Sequence, residues 1–72
     1  MNHVRVSPGA HLAGKVHVGE LTHIGIGASV VQGVEIGRNV IVGAGGVVTR
    51  DLPDNVTAVG VPAKVIRHHE KV

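Results

Sequence analysis

Six histidines and no cysteine are the features of this 72-residue chain that bear most directly on chemistry near neutral pH. His11, His17 and His23 stand at a spacing of six, and His3, His68 and His69 make up the rest. An imidazole can take a proton from an attacking group or ligate a metal. The absence of cysteine removes thiolate nucleophiles, disulfides and Cys-ligated zinc, argues against redox chemistry and fits a reducing compartment. Whether these histidines can act together depends on the element that carries them. A spacing of six suits neither a helix face, which recurs near 3.6 residues, nor a strand face, which recurs at every second residue.

The apolar residues share that period. Val6, Leu12, Val18, Ile24, Val30, Ile36, Val42 and Val48 form an unbroken series at every sixth position, which is the signature of a parallel β-helix. Three hexapeptides make three short walls, so residue i stacks on residue i+18 at an inter-strand spacing of about 4.8 Å. Four places after each aliphatic come Ala10, Val16, Thr22, Ala28, Val34, Val40, Gly46 and Leu52, mostly small or β-branched, as a second inward position in a narrow prism requires. Three places after stand Gly9, Lys15, Leu21, Gly27, Gly33, Asn39, Gly45 and Asp51. Six of those eight are Gly, Asn or Asp, which tolerate the left-handed backbone of a tight corner. Lys15 and Leu21 depart from this, so irregular corners are expected in the first coil.

The period separates the histidines. His11, His17 and His23 fall on three different walls; His23 shares its column with Arg5 and Ile41, and His17 lies beside Glu35. No residue is therefore assigned as a catalytic base. His3 and His11 remain as candidates, against the plainer reading of surface histidines.

The chain reads as one all-β domain, residues 1–72: a single-stranded parallel β-helix of about three coils over residues 6–53, a C-terminal cap segment over 54–67, and a frayed polar tail over 68–72. Asp51-Leu52-Pro53-Asp54-Asn55 breaks the pattern and is expected to end the repeat. A net charge of +2 comes from scattered cations, and with no aromatic residue to stack on a base, nucleic acid is not an expected partner. No run of 18 apolar residues and no signal-peptide core follow Met1, so no membrane association and a cytoplasmic location are expected. Outward apolar residues Ile26, Val31, Ile41 and Val47 would leave a sizeable patch on a monomer, which points to an oligomer. The repeat begins almost at the first residue, so a further contact is expected at the open N-terminal coil.

Three stretches carry a more specific resemblance: Ser7-Pro8-Gly9-Ala10-His11-Leu12-Ala13-Gly14, the run from Ile36 through Gly43-Ala44-Gly45-Gly46 to Asp51, and Gly60-Val61-Pro62-Ala63-Lys64-Val65-Ile66-Arg67. Together they resemble the C-terminal half of the hexapeptide-repeat acyltransferases, in particular the sialic acid O-acetyltransferase and nucleotide-amino-sugar N-acetyltransferase family. That resemblance implies a left-handed coil, although parallel crossovers are right-handed in about 98% of cases. It implies a homotrimer with acetyl-CoA in the groove between neighbouring prisms. It also implies cofactor contacts at Gly14, Ile26, Gly43, Ala44, Lys64 and Arg67: Gly14 as an amide donor facing the thioester, the glycine-rich stretch with Ile26 along the pantetheine, and Lys64 with Arg67 near the phosphates. Family members carry an N-terminal sugar-binding domain and a catalytic His that would lie several residues before Met1. The expectation is thus a truncated acetyltransferase-like protein retaining part of the CoA groove, with stand-alone activity doubtful. One alternative is a non-enzymatic trimeric assembly or partner-docking module. Another is a γ-class carbonic anhydrase-like zinc protein, although no two histidines here show that family's spacing of five.

Overall fold

A computed structural model describes residues 4–70 of the chain. Eight two-residue strands follow the repeat: β1 (Arg5–Val6), β2 (His11–Leu12), β3 (His17–Val18), β4 (His23–Ile24), β5 (Ser29–Val30), β6 (Glu35–Ile36), β7 (Ile41–Val42) and β8 (Val47–Val48). β9 (Val56–Val59) and β10 (Lys64–His68) complete the order. The strands stack into three parallel walls in the expected register of 18: β1-β4-β7 on wall A, β2-β5-β8 on wall B, and β3-β6 on wall C. Leu12 lies over Val30 and Val30 over Val48, so the aliphatic series forms the axis of the prism.

Burial along that axis depends on having a coil on each side. Ile24, Val30, Ile36, Val42 and Val48 are buried, and Ala28, Val34 and Val40 close the second inward positions. Val6 and Leu12, in the first described coil, are 47% and 40% exposed because nothing described lies above them. Thr22 is the buried polar exception. Its Oγ1 donates to the Gly37 carbonyl at 2.8 Å and accepts from the Val40 N–H at 3.1 Å, tying two coils together at the corner between walls C and A.

Three expectations change. Lys15 and Leu21 are not irregular: with φ of 61° and 63° they adopt the same left-handed corner as Gly33 and Asn39 one coil below, at φ of 80° and 56°. Such a conformation costs an ordinary residue about 1–2 kcal/mol, but pairing of β2 and β3 to the coil beneath demands the same corner path. Asp51, expected at a left-handed corner, is not one; Asn55, at φ 59°, takes that role.

The reason is the second difference. Stacking does not end at residue 53, because Leu52 bridges Ile36, and β9 adds a layer under β7 with Ile41 beside Thr57 and Val42 beside Ala58. These pairs are 16 residues apart, so two residues are missing from one corner and the repeat resumes in a new frame. Leu52, read as a second inward residue, instead takes the axial place below Ile36. Ala58 and Val56 follow it into the core. Side chains stitch the shortened step: Glu35 N–H donates to Asp51 Oδ1, Arg38 N–H to Asp54 Oδ1, and Asn39 Nδ2 to Asn55 Oδ1.

The third concerns the C-terminal end. β10 turns back to pair antiparallel with β9, making wall A five strands wide. Of the tail expected over 68–72, His68 pairs with Val56 and His69 donates its N–H to the Asn55 carbonyl at 2.7 Å, while residues 71 and 72 lie outside the described residues. The turn before β10 passes under wall B, where the Val47 N–H donates to the Gly60 carbonyl and the Ala63 N–H to the Val47 carbonyl. Val47 is half-buried as a result, whereas Ile26, Val31 and Ile41 are exposed.

Candidate functional site

Wall A gathers most of the cofactor candidates. Because strand side chains alternate, Val6, Ile24, Val42 and Ala58 face the axis and their neighbours face out. One outward column is Arg5, His23, Ile41 and Thr57, with Arg67 beside Thr57. The adjacent column is Ser7, Gly25, Gly43 and Val59, with Lys64 beside Val59. Pro8, Ile26 and Ala44 follow at the edge shared with wall B, where the Gly27 N–H donates to the Pro8 carbonyl and the Gly45 N–H to the Ile26 carbonyl.

The glycines in this face are required by close approach of the coils. A Cβ on Gly25 would fall 2.6 Å from the Val42 carbonyl oxygen and 2.8 Å from the Ala44 nitrogen, and one on Gly43 would fall 2.7 Å from Val59 Cγ1. The result is a side-chain-free strip bordered by Ile26, which is 62% exposed, and Ile41. Lys64 and Arg67 stand at its lower end on β10, and both are exposed. The five strands of wall A hold no acidic residue, while Glu35 lies on wall C with Asp51 and Asp54 below it. Wall A is therefore the basic face. A separate cleft of about 460 Å³ opens beneath the prism between residues 49–52 and 62–65, so Lys64 also borders a second concavity.

Ile26, Gly43, Ala44, Lys64 and Arg67 thus share one face and its edge. Gly14 does not: it lies at the far end of wall B, where its carbonyl accepts the Gly33 N–H at 3.1 Å and a Cβ added to it would meet open space. His11 is exposed on wall B above Ser29, away from this face. His3 lies outside the described residues. His17 stacks over Glu35 and His23 lies between Arg5 and Ile41, as the period requires.

One pair escaped sequence reasoning. Ser7 Oγ lies 2.9 Å from His23 Nε2, a contact between columns and between coils. The signal was present in the register, since Ser7 follows Val6 and His23 precedes Ile24, the residue that Val6 stacks on. Reading only straight columns hid the diagonal. Thr57 Oγ1 and His69 Nε2 make a second hydroxyl–imidazole contact at 2.5 Å. Among the described residues no group of three or more His, Asp or Glu side chains is arranged to hold a metal ion. No helix is long and apolar enough to cross a membrane.

No family model matches the chain. Individual proteins do. The chain is 48% identical over 59 residues to the galactoside O-acetyltransferase of Lactococcus lactis, covering 82% of this chain and 28% of that protein. Among solved structures, the H141N mutant of perosamine N-acetyltransferase from Caulobacter crescentus, in complex with CoA and GDP-perosamine, is 56% identical with a TM-score of 0.88, over 89% of this chain and 30% of that one. The acetyltransferase domain of PglB from Neisseria gonorrhoeae, in complex with acetyl coenzyme A, is 46% identical with a TM-score of 0.86, over 88% and 31%. The chain spans about 30% of the length of these relatives. The coil is the left-handed β-helix of that fold, as the resemblance implied. With its repeat, its corners and these likenesses taken together, the chain carries the β-helix part of the hexapeptide-repeat acyltransferase family, and the relatives it matches include sugar O- and N-acetyltransferases.

Proposed function

We propose that this β-helix binds acetyl-CoA along wall A and contributes to acetyl transfer onto a sugar hydroxyl or amino group. The observation that carries the reading is the convergence of Ile26, Gly43, Ala44, Lys64 and Arg67 on one basic, acid-free face with a strip of bare backbone between apolar borders. A pantetheine arm needs an extended, mainly apolar track with backbone groups along it. Lys64 and Arg67 would meet the phosphates at its lower end as a point charge and a forked donor. CoA or acetyl-CoA in the similar structures supports the same ligand.

Gly14 lies at the opposite edge of wall B, so its amide would reach a thioester on wall A only from a neighbouring copy. A homotrimer with the cofactor between prisms would supply that, and the exposed Ile26, Val31 and Ile41 are the apolar surface it would cover. A further contact belongs at the first coil. There Arg5, His11 and His17 donate their N–H groups to the coil below, so the intervening Val6, Leu12 and Val18 direct theirs upward. With Val6 and Leu12 nearly half exposed, that face would accept another hexapeptide coil, which is the observation favouring an assembly or docking role.

Titration calorimetry with acetyl-CoA tests the main reading. Binding that weakens on Lys64→Ala is expected, and no heat at millimolar cofactor would refute it. Sedimentation at the same protein concentrations tests the trimer, with a monomer at all of them as the contrary result.

A further inference from the structure

Thr57 lies opposite Arg67 on the outward face of wall A, and a second basic group reaches the same hydroxyl from beyond β10. His69 continues the ladder with its N–H on the Asn55 carbonyl at 2.7 Å, and its Nε2 lies 2.5 Å from Thr57 Oγ1. Side chains alternate along an extended chain, so Arg67 and His69 share one face while His68, which pairs with the inward Val56, takes the other. We propose that Thr57, Arg67 and His69 form a proton-linked phosphate clamp, in which the imidazole is charged when a phosphate is bound. The inference rests on the acetyl-CoA reading of this face and gives its lower end a pH dependence.

The surroundings of the imidazole suit an anion. Its Nδ1 has no bonding partner among the described residues, and none of their buried side-chain nitrogens or oxygens is unsatisfied, so that nitrogen reaches solvent. Wall A brings Arg67 and Lys64 to the same end, and its strands carry no carboxylate. On its own segment the charged or titratable neighbours of His69 are Arg67, His68 and the exposed Glu70, and β9 offers none. At the corner before β9, Asp54 Oδ1 is taken by the Arg38 N–H, and Arg38 accepts the Asn55 N–H on its backbone carbonyl. An anion placed among Arg67, Lys64 and His69 favours the charged imidazole.

Charge on the ring changes which way the hydroxyl bond runs. Histidine is the side chain that ordinarily changes charge between about pH 5 and 8. With Nε2 unprotonated, the Thr57 hydroxyl is spent as a donor to the ring. Once Nε2 carries a proton it donates to Thr57 Oγ1, so the hydroxyl hydrogen turns outward, and the Nδ1–H is the second donor of the imidazolium. One proton therefore adds a positive charge and frees a hydroxyl donor beside the Arg67 guanidinium, which supplies a forked pair. Lys64, one column over beside Val59, adds a point charge. No covalent bond to the ligand forms: the proton comes from solvent and returns there when the phosphate leaves.

Calorimetry with acetyl-CoA on the full chain at about pH 6 and about pH 8 tests the clamp. A phosphate monoester takes its own second proton at about pH 6, so the quantity read is the affinity ratio of the original chain to His69→Gln at each pH, in which the ligand's ionisation cancels. Gln can still bond to Thr57, and the backbone bond to Asn55 is unaffected. The expected ratio is about fivefold at the lower pH, the size of one exposed ion pair, and below about twofold at the higher. His68→Gln should make no difference at either pH. A His69→Gln ratio that is the same at both values, whatever its size, marks a merely structural contact and overturns the proposal, as does an equal pH dependence in His68→Gln. Inorganic pyrophosphate, titrated in parallel by amide NMR, separates the two readings. The expected ratios with pyrophosphate but no binding of acetyl-CoA sustain the clamp and refute the cofactor reading. Acetyl-CoA binding with a flat ratio refutes the clamp alone, and failure of both probes to bind at the lower pH refutes both.

Discussion

Replacing Thr22 by Val separates two accounts of the prism interior that predict opposite signs. Val16, Val34, Val40 and Val56 occupy equivalent second inward places, so by pattern alone Val is at home there and the change should be neutral or favourable. The hydrogen bonds say otherwise. Thr22→Val strands the Val40 N–H, which is buried and has no other acceptor among the described residues, and removes the donor to the Gly37 carbonyl. An unsatisfied buried donor costs about 1–3 kcal/mol. The Gly37 carbonyl belongs to a half-buried residue and can recover a water, so its loss adds about 1 kcal/mol at most. Trading a hydroxyl for a methyl returns about 0.8 kcal/mol of apolar burial. The net is a destabilisation of up to about 3 kcal/mol, with a central value of about 2 kcal/mol. With a urea slope near 1 kcal/mol/M for a chain of this size, the midpoint should fall by about 2 M, read at matched protein concentration because any assembly contributes to stability. Thr22→Ser keeps both hydrogen bonds and should lose about 1 kcal/mol with its methyl. Hydrogen exchange gives the local check: protection of the Val40 amide should drop in Thr22→Val and persist in Thr22→Ser. A Thr22→Val chain as stable as the original, or more so, would refute the reasoning.

Other perturbations follow from the same geometry. Gly25→Ala pushes a Cβ into the Val42 and Ala44 backbone of the coil below and should cost about 1–3 kcal/mol by denaturant titration, whereas Gly14→Ala meets open space and should stay within about 0.5 kcal/mol. Lys15→Asn relieves a left-handed residue at an exposed corner and should raise stability by about 0.5–1 kcal/mol; a lower denaturation midpoint would contradict the strain assigned to Lys15. Lys64→Ala should weaken acetyl-CoA binding by about 1 kcal/mol, roughly fivefold, with less effect at high salt, and calorimetry at two ionic strengths would expose a merely structural lysine by showing no change.

The residues themselves determined the architecture. An aliphatic at every sixth place can be buried only by a coil with three short sides, so the walls, the axial column and the separation of His11, His17 and His23 were all readable from spacing. The resemblance supplied the hand of the coil, because a period carries no chirality, and it supplied the candidate cofactor residues. Tertiary structure decided what depends on contacts between coils. Lys15 and Leu21 turn left-handed since pairing on either side outweighs local preference. The shift from 18 to 16 at Leu52 could not be read from the chain, because Asp51, Asp54 and Asn55 look like a terminating turn until their side chains are seen bonded to the coil above. The candidate site divides in the same way. The resemblance named Ile26, Gly43 and Ala44, but the bare strip at Gly25 and Gly43 and the Ser7 to His23 contact, which crosses both columns and coils, come only from the stacked backbone.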